Sequence, residues 1–469
     1  MKEYEQYKRL IKTLYGLMLL SIQILLYWCV WTGYYNNNIE LPFFRKGNWL
    51  MAAFYGLILF FFSKVYSGFK VGYLKKTDII YSQILVLICS IGVEYIQIAL
   101  LDRHFVNPWP LIFLLLVQIV FIIFWTNLYY WLYSSLFPPW RMLLIYGERP
   151  VFSLLEKISA RQDKYRICEI VNVKEGLKVI FEKIQTYDAV IIGDIPSDIR
   201  NQILKVCFEN SIRTYTLPKV SDIIIRGSDE IHLFDSPLLL ARNGGYTFEQ
   251  KVLKRMTDIV FSCIGIIVFS PFMLLTALSV KLYDGDAVIH KQIRLTKDGK
   301  EFEVYKFRSM IQDAEKDGKA RLASEGDVRV TPVGKIIRKT RLDELPQFFN
   351  ILKGEMSLVG PRPERPQIVE EYRSYMPEFD YRLKVKAGLT GYAQIYGKYN
   401  TTPYDKLKLD LMYIENYSIW LDIKIIVMTV KILFMKESTE GVAFEQVTAI
   451  GEDEQNMRKN LQESEHESD

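Results

Sequence analysis

The sequence predicts a multi-domain membrane protein. A four-helix transmembrane bundle (residues 1–140) leads into a small α/β domain (141–245). A mainly helical domain (246–436) follows, with a re-entrant membrane helix (256–282) and interfacial helices, and then an acidic tail (437–469). Three observations carry this reading. Four long apolar runs precede residue 137, short apolar runs then alternate with amphipathic helices, and a fifth long run has basic flanks and Ser270-Pro271 at its middle. A length of 469 residues calls for two or three units, since single domains mostly hold about 100–200 residues.

Composition narrows the class further. With 50% hydrophobic and 24% charged residues, the chain is neither disordered nor collagen-like. A net charge of +5 is small for this length and no basic stripe with interleaved aromatics occurs, so no nucleic-acid partner is expected. Cys29, Cys89, Cys168, Cys207 and Cys263 are widely separated and form no CxxC pair, which excludes a disulfide framework or a zinc site of the usual spacing. The four histidines are equally scattered. Any metal is therefore expected to be a hard ion held by carboxylates.

The first four runs are Leu14–Tyr35, Trp49–Phe69, Ile79–Leu101 and Leu111–Phe137, each near the ~20 residues that carry a helix across ~30 Å of hydrocarbon. Trp28, Trp31, Trp49, Trp109 and Trp131 stand in or near the run ends, as interfacial aromatics do. Lys2, Lys8, Arg9 and Lys12 resemble the basic start of a signal peptide. The run behind them is too long for one and lacks a small-x-small cleavage site, so a retained helix is expected. Lys64, Lys70, Lys75, Lys76, Arg141 and Arg149 lie on the same side as that basic start, against Arg45, Lys46 and Arg103 opposite. Positive charge stays inside, which puts the N-terminus and everything after Arg141 in the cytoplasm. Gln23, Glu94 and Gln97 fall within spans. For Glu94 an interhelical hydrogen bond or an interfacial position is favoured over a functional charge.

Between Arg141 and Leu240, Met142–Tyr146, Ala189–Ile192 and Arg213–Leu217 read as buried strands, with helices at Ser153–Ile158 and Ile199–Glu209. This is a Rossmann-like parallel α/β unit. Its first turn, Tyr146-Gly147-Glu148-Arg149-Pro150, has one glycine where a dinucleotide fingerprint has three, and Glu148 puts negative charge where a pyrophosphate would sit. A spacer or oligomerisation role, with a homodimer as its simplest product, is favoured over ligand binding.

The fifth run, Ile259–Val280, is long enough to cross. Lys251, Lys254 and Arg255 precede it and Lys281, Lys291 and Arg294 follow, so both ends are expected on the cytoplasmic side. Pro271 removes one helical hydrogen bond, and Ser270 can satisfy a freed carbonyl. A helix that enters, bends at Ser270-Pro271 and returns meets both conditions; a kinked fifth span is the alternative.

The region from Asp284 to Phe434 holds short phrases rich in charge, glycine and proline. They are Lys306-Phe307-Arg308-Ser309-Met310, Arg341-Leu342-Asp343-Glu344-Leu345-Pro346-Gln347, Ser357-Leu358-Val359-Gly360-Pro361-Arg362-Pro363-Glu364 and Gly388-Leu389-Thr390-Gly391-Tyr392-Ala393-Gln394. Over residues 251 to about 435 the chain resembles the bacterial sugar transferases, the monotopic phosphoglycosyl transferases. The four preceding spans and the α/β insert resemble the long form of that family. The resemblance implies an undecaprenyl-phosphate hexose-1-phosphate transferase of the bacterial inner (cytoplasmic) membrane, with its catalytic domain on the cytoplasmic face. Such enzymes transfer a sugar-1-phosphate from a UDP-sugar to polyprenyl phosphate, a membrane lipid, and release UMP. This starts a repeat unit of exopolysaccharide, capsule or O-antigen. It also implies that Asp343 is the nucleophile, passing through a phosphosugar-aspartate, and that Glu344 is the carboxylate associated with Mg²⁺.

These roles make physical sense. Neighbours on a helix point about 100° apart, so Asp343 and Glu344 must find separate partners, which suits a nucleophile and a metal ligand. An isolated Asp-Glu pair would otherwise read as the acidic first turn of a helix. Arg362, stiffened between Pro361 and Pro363, presents a forked donor, and the resemblance places this segment beside the nucleotide. Arg294, Lys306, Arg308 and Arg341 are further candidate phosphate contacts, with a surface salt bridge the alternative for each. Gly388, Gly391 and Gln394 mark a loop where backbone approaches closely or takes positive φ. Asp410 matches a recurrent acidic position of the family, able to orient an arginine or join the metal shell. The family's Gly-Arg after the glutamine is here Gly397-Lys398, which keeps the charge and loses the fork. Tyr399–Pro403 is a candidate sugar contact.

Tyr404–Tyr417 and Trp420–Phe434 are amphipathic. The second carries Lys424 and Lys431, is too short to span, and reads as an interfacial or a core helix. From Glu437 the chain is acidic and polar, the composition of disorder. Two rival readings are a membrane glycosyltransferase that releases UDP and an inactive scaffold or regulator of polysaccharide assembly. No clear DxD favours the first, and the intact Asp343-Glu344 and Pro361-Arg362-Pro363 phrases oppose the second.

Overall fold

The computed structural model describes residues 5–147, 152–159, 161–241, 245–285, 287–311, 327, 329–397 and 401–433. Lys2, the Glu148-Arg149-Pro150 turn, Lys398, Tyr399, Asn400, Phe434 and the acidic tail lie outside the described residues. The chain divides into two compact units, Met1–Leu217 and Pro218–Asp469. It is mostly helical with small sheets, and among the described residues five helices are long and apolar enough to cross a membrane.

In the first unit these are α1 (Lys8–Val30, continued by further turns to Asn38), α2 (Lys46–Val65), α3 (Lys76–Asp102) and α4 (Trp109–Leu136). Leucines, isoleucines and phenylalanines cover their outer faces, whereas tyrosines and amides sit inside. The Tyr27 hydroxyl donates to Glu94, Tyr55 OH donates to Gln118 Oε1 at 3.1 Å, and Gln118 Nε2 donates to the Gln23 carbonyl at 3.1 Å. Glu94 thus makes an interhelical bond, as hydrocarbon surroundings demand of a polar group.

The α/β part follows from strict alternation along β1 (Trp140–Tyr146). Leu143 and Ile145 face one layer, where helices α6 (Leu177–Ile184) and α7 (Ser197–Glu209) supply Ile180, Ile184, Ile203 and Cys207. Met142 and Leu144 face the other, against Leu154, Leu155 and Ile158 of α5 (Phe152–Ser159). A strand buried on both faces reads as a continuous apolar run, and that is what residues 142–145 are. The sheet is parallel throughout, in the order β2 (Tyr165–Asn172), β1, β3 (Ala189–Ile192), β4 (Arg213–Thr216). Strand β2 and helix α6 were not legible as elements. The former is an edge strand carrying Arg166 and Glu169, so its apolar signal is diluted.

The second unit begins with α8 (Val220–Arg226) and the hairpin β5–β6 (Asp229–Leu233, Ser236–Leu240). Helix α9 (Phe248–Asp284) starts at a reciprocal cap, with Thr247 Oγ1 accepting from Gln250 N–H and Gln250 Oε1 accepting from Thr247 N–H. The backbone stays helical through Pro271. That residue has no N–H for the Ile267 carbonyl, and Ser270 Oγ donates to the same carbonyl at 2.8 Å. Arg255 on the first arm donates to the Ile351 and Leu352 carbonyls, and Asp258 accepts from Ser357 Oγ and Leu358 N–H. Lys254 pairs with Asp422 at 2.7 Å. On the second arm Met273, Ala277 and Val280 pack with Phe307 and Ile337. Both arms therefore pack on one and the same globular core.

That core holds the hairpin β7–β8 (Ile289–Leu295, Glu301–Phe307), α10 (Pro332–Lys339) and α11 (Gln347–Lys353). It also holds the two-stranded parallel pair β9–β10 (Ser357–Val359, Gly388–Thr390), α12 (Pro366–Tyr375), a 3₁₀ helix (Pro377–Lys384) that carries Arg382, α13 (Tyr392–Tyr396), α14 (Pro403–Glu415) and α15 (Ile419–Leu433). Helix α15 buries Asp422, Ile425 and Met428 while Trp420 and Val430 are exposed, so one face is core and the other open.

Candidate active site

Asp343 and Glu344 lie in a single 3₁₀ turn, Leu342–Glu344, between α10 and α11. Arg341 enters the turn with φ of 57°, a left-handed residue that reverses the chain after α10. Pro346, lacking an N–H, stands where α11 begins. Both carboxylates are buried. They diverge as adjacent residues must, and their surroundings differ.

Glu344 is met by three cations, one from a strand, one from the loop after β9 and one from the entry to its own turn. Lys306 Nζ, on β8, lies 2.9 Å from Glu344 Oε1, Arg362 Nη2 lies 2.9 Å from the same oxygen, and Arg341 Nη1 is 3.8 Å from Oε2. Burial pushes this carboxyl up, but the charges of Lys306, Arg362 and Arg341 outweigh it and hold Glu344 well below its ordinary value. Asp343 has the opposite balance. Burial and the neighbouring Glu344 charge raise it, against Lys306, Arg338 and Arg341, and its Oδ1 is buried without a hydrogen-bond partner. One carboxylate is thus pinned as an anion inside a cationic ring, and the other is left basic with an uncommitted oxygen. Lys306 is itself lowered by burial, while the Glu344 charge raises Arg362.

Behind Arg362 stands a second ionic layer. Arg382 donates to Asp410 through Nε at 3.0 Å and approaches it through Nη2 at 2.8 Å; Nη2 also donates to the Arg362 carbonyl at 2.9 Å. Glu364 is 2.9 Å from Lys406, 3.7 Å from Arg382 and 3.8 Å from Arg294. Burial acts against its charge, yet Lys406, Arg382 and Arg294 hold it at about 2. Arg294, lowered to about 10 by burial, donates to the Pro363 carbonyl at 3.0 Å and to Gln292. The Pro361-Arg362-Pro363 segment is therefore held from below at two carbonyls.

The glycines answer to crowding. A Cβ on Gly388 would stand 2.1 Å from the Gly360 nitrogen, and one on Gly391 would stand 2.2 Å from the Gly360 oxygen. Pro361 accepts from Gly388 N–H at 2.9 Å, which ties the two phrases together. Close backbone approach is what these glycines serve, since Gly391 has φ of −165°.

Of the residues singled out from sequence, Asp343, Glu344, Lys306, Arg341 and Arg362 are gathered within one ionic cluster. Arg294 and Asp410 belong to the layer beneath, where Asp410 binds Arg382 and has almost no exposure. Arg308 follows β8 with its N–H on the Val288 carbonyl, and Gln394 donates to the Leu389 carbonyl, its Oε1 buried and without a partner. Arg338, Arg382, Glu364 and Lys406 were missed. Glu364 closes the Ser357–Glu364 phrase; Arg382 and Lys406 stand in no such phrase, and only the fold brings them to the arginine segment.

The oxygen of Glu344 that faces Arg341 at 3.8 Å, away from its two close cations, suits a hard divalent ion of the kind that takes one or two carboxylates and fills its remaining positions with substrate phosphates. Among the described residues no group of three or more metal-ligating side chains occurs. An apolar cavity of about 1090 Å³ lies close by, lined by Ser270, Pro271, Met273, Phe307, Pro346 and Phe349 among others.

Comparison with known proteins agrees in region. A sequence profile for the bacterial sugar transferases matches residues 249–436. The chain is 40% identical over 252 residues to a UDP-N-acetylgalactosamine-undecaprenyl-phosphate N-acetylgalactosaminephosphotransferase of Aeromonas hydrophila, covering 52% of this chain and 58% of that one. It is 39% identical over 280 residues to a UDP-glucose:undecaprenyl-phosphate glucose-1-phosphate transferase of Klebsiella pneumoniae, covering 58% of each. The match thus spans little more than half the length of these two relatives. An uncharacterised sugar transferase of Bacillus subtilis, EpsL, is 38% identical over 204 residues, which is 98% of its own length and 43% of this chain.

Proposed function

The chain belongs to the bacterial sugar transferase family, and on that premise we propose that it moves a sugar-1-phosphate from a UDP-sugar to polyprenyl phosphate and releases UMP. The observation that carries this reading is the divided carboxylate pair: Glu344 pinned by Lys306 and Arg362, beside Asp343 with an unpartnered buried oxygen.

In the first step an Asp343 carboxylate oxygen attacks the phosphorus that bears the sugar. The bond from that phosphorus to the bridging oxygen breaks, and its electron pair leaves with UMP. In the second, a phosphate oxygen of the acceptor attacks the same phosphorus and returns Asp343 as carboxylate. A nucleophile benefits from basicity, and burial beside Glu344 supplies it. Lys306, Arg341 and Arg362 supply the positive field that a diphosphate needs, in a site shielded from water. Mg²⁺ at Glu344 would neutralise charge on the diphosphate and polarise it, with Asp343 left to attack.

The lipid acceptor requires the site to lie at the membrane. Helix α9 would extend about 55 Å if straight, yet both of its arms pack on one core while Ile259, Ile264, Val268, Leu274 and Leu278 remain exposed. A helix that dips into the cytoplasmic leaflet of the inner membrane and returns meets both conditions, with Ser270-Pro271 at its turning point. The apolar cavity beside Pro346 is then the place for part of the acceptor's hydrocarbon chain.

The test uses purified full-length protein with Mg²⁺, polyprenyl phosphate and a panel of UDP-sugars, and asks which nucleotide is released. UMP from wild type, with at least about a thousandfold loss in folded Asp343→Asn, is expected. Release of UDP would instead assign a glycosyltransferase, and turnover retained by Asp343→Asn would remove Asp343 as nucleophile.

A further inference from the structure

A second concentration of charge stands in the first unit, where the starts of α1 and β2 meet the loop between α2 and α3. Five cations gather on an aromatic floor. Lys12 Nζ is 4.3 Å from the centre of the Tyr73 ring and 5.5 Å from Tyr133; Lys164 Nζ is 4.5 Å from Tyr73 and 4.8 Å from Tyr165. Lys8 lies 4.9 Å from Phe137, and Arg213 4.2 Å from Trp140. Arg161 Nη1 donates to the Tyr73 carbonyl at 2.5 Å.

Among the described residues two carboxylates answer these five charges. Glu5 takes Lys8 at 2.7 Å and Arg213 at 3.0 Å, and Asp163 takes Arg161 at 2.9 Å. Lys12 and Lys164 have no carboxylate partner among the described residues, although they share one ring. Burial lowers Lys164 to about 8, and the charges of Arg161, Lys12 and Lys8 add to the effect. Two half-buried ammonium groups share one ring, and the nearby Glu5 and Asp163 are already paired with Lys8, Arg213 and Arg161, which leaves an electrostatic deficit that a ring quadrupole offsets only in part. Tyr73 is 62% exposed, so the patch is open. Lys8 and Lys12 stand at the start of α1, and Tyr133 and Phe137 at the end of α4, where two helices long and apolar enough to cross a membrane begin and end.

We propose that this patch is a headgroup site for an anionic membrane phospholipid, one phosphate bridging Lys12 and Lys164 beside Tyr73. The charge asks for a phosphate, and its place at the ends of two apolar helices favours a lipid phosphate over a soluble one. The site belongs to the first unit and is independent of the transferase reading. Its occupant fills a fixed place between α1, the Tyr73 loop and the edge of the sheet, and so joins the membrane helices to the α/β part.

The experiment places the full chain in nanodiscs of phosphatidylcholine with a minor fraction of phosphatidylglycerol and counts retained lipids by native mass spectrometry after extraction. Wild type retains phosphatidylglycerol selectively. Lys12→Gln/Lys164→Gln loses that selectivity by about thirtyfold, the factor expected of two juxtamembrane lysines, whereas Lys12→Arg/Lys164→Arg keeps it. Should the glutamine pair not fold, wild-type retention at low and high salt replaces it, and a steep fall with salt is expected. Equal retention by wild type and the glutamine pair, or no salt dependence, overturns the proposal. Displacement of the lipid by inorganic phosphate alone would reassign the site to a soluble phosphate ester and overturn the lipid assignment.

Discussion

Asp410→Asn tests whether the buried layer beneath Arg362 holds the site in shape. The substitution keeps the size of the side chain and removes its charge. Arg382, itself buried, would lose a carboxylate at 2.8 Å and retain only Glu364 at 3.7 Å, already engaged by Lys406. Breaking a buried pair by removing one partner costs about 3–5 kcal/mol. At about 2–4 °C per kcal/mol for a unit of this size, even the lower figure means a fall of about 6–12 °C in unfolding temperature. Because Arg382 Nη2 also holds the Arg362 carbonyl, the loss should reach the ionic cluster. The KM for UDP-sugar should rise more than kcat falls, since Arg362 is displaced while Asp343 stays in place. Unfolding followed by a thermal-shift assay in detergent, with steady-state kinetics on the same preparation, reads both. A shift under about 2 °C with unchanged KM would refute the view that Asp410 and Arg382 position the arginine segment.

Further expectations concern acid–base behaviour and crowding. Asp343 is raised, so as pH falls it takes up a proton sooner than an ordinary aspartate, and the acid limb of kcat/KM should lie above the usual carboxylate range; a limb below about pH 4 would remove Asp343 from the rate law. Glu364 behaves oppositely. Its depressed carboxyl contributes stability above the ordinary glutamate value, and this is lost as pH falls toward about 2, which acid unfolding of Glu364→Gln against wild type would show as a flattened transition. Gly388→Ala puts a methyl 2.1 Å from the Gly360 backbone nitrogen and should destabilise by at least about 1–3 kcal/mol, read as lowered yield and unfolding temperature; wild-type stability would mean that the two strands can separate at no cost.

What sequence alone determined is whatever local pattern encodes. The apolar runs place α1–α4, because a membrane helix needs only length and hydropathy, and the alternation at Met142–Ile145 places a strand buried on both faces. Ser270 and Pro271 specify their own hydrogen bonding within one helix, so the repair of the proline site of α9 was open to a reader of residues, whereas its cap at Thr247 and Gln250 lay upstream of the apolar run and went unread. Asp343, Glu344 and Arg362 stand in recognisable phrases. The edge strand Tyr165–Asn172 and the hairpin β7–β8 were not legible, since exposed strands dilute the apolar signal with charge.

Only the tertiary structure decided how two adjacent carboxylates acquire opposite character. That depends on Lys306 arriving from a strand 38 residues earlier in the chain and Arg362 from 18 residues later, both on Glu344 and neither bonded to Asp343 Oδ1. It also decided that Asp410 lies under the site and that Arg382, in no recognisable phrase, carries the connection. Electrostatic fields add over space and not along the chain, so the residues that set them are found by proximity, which folding alone supplies.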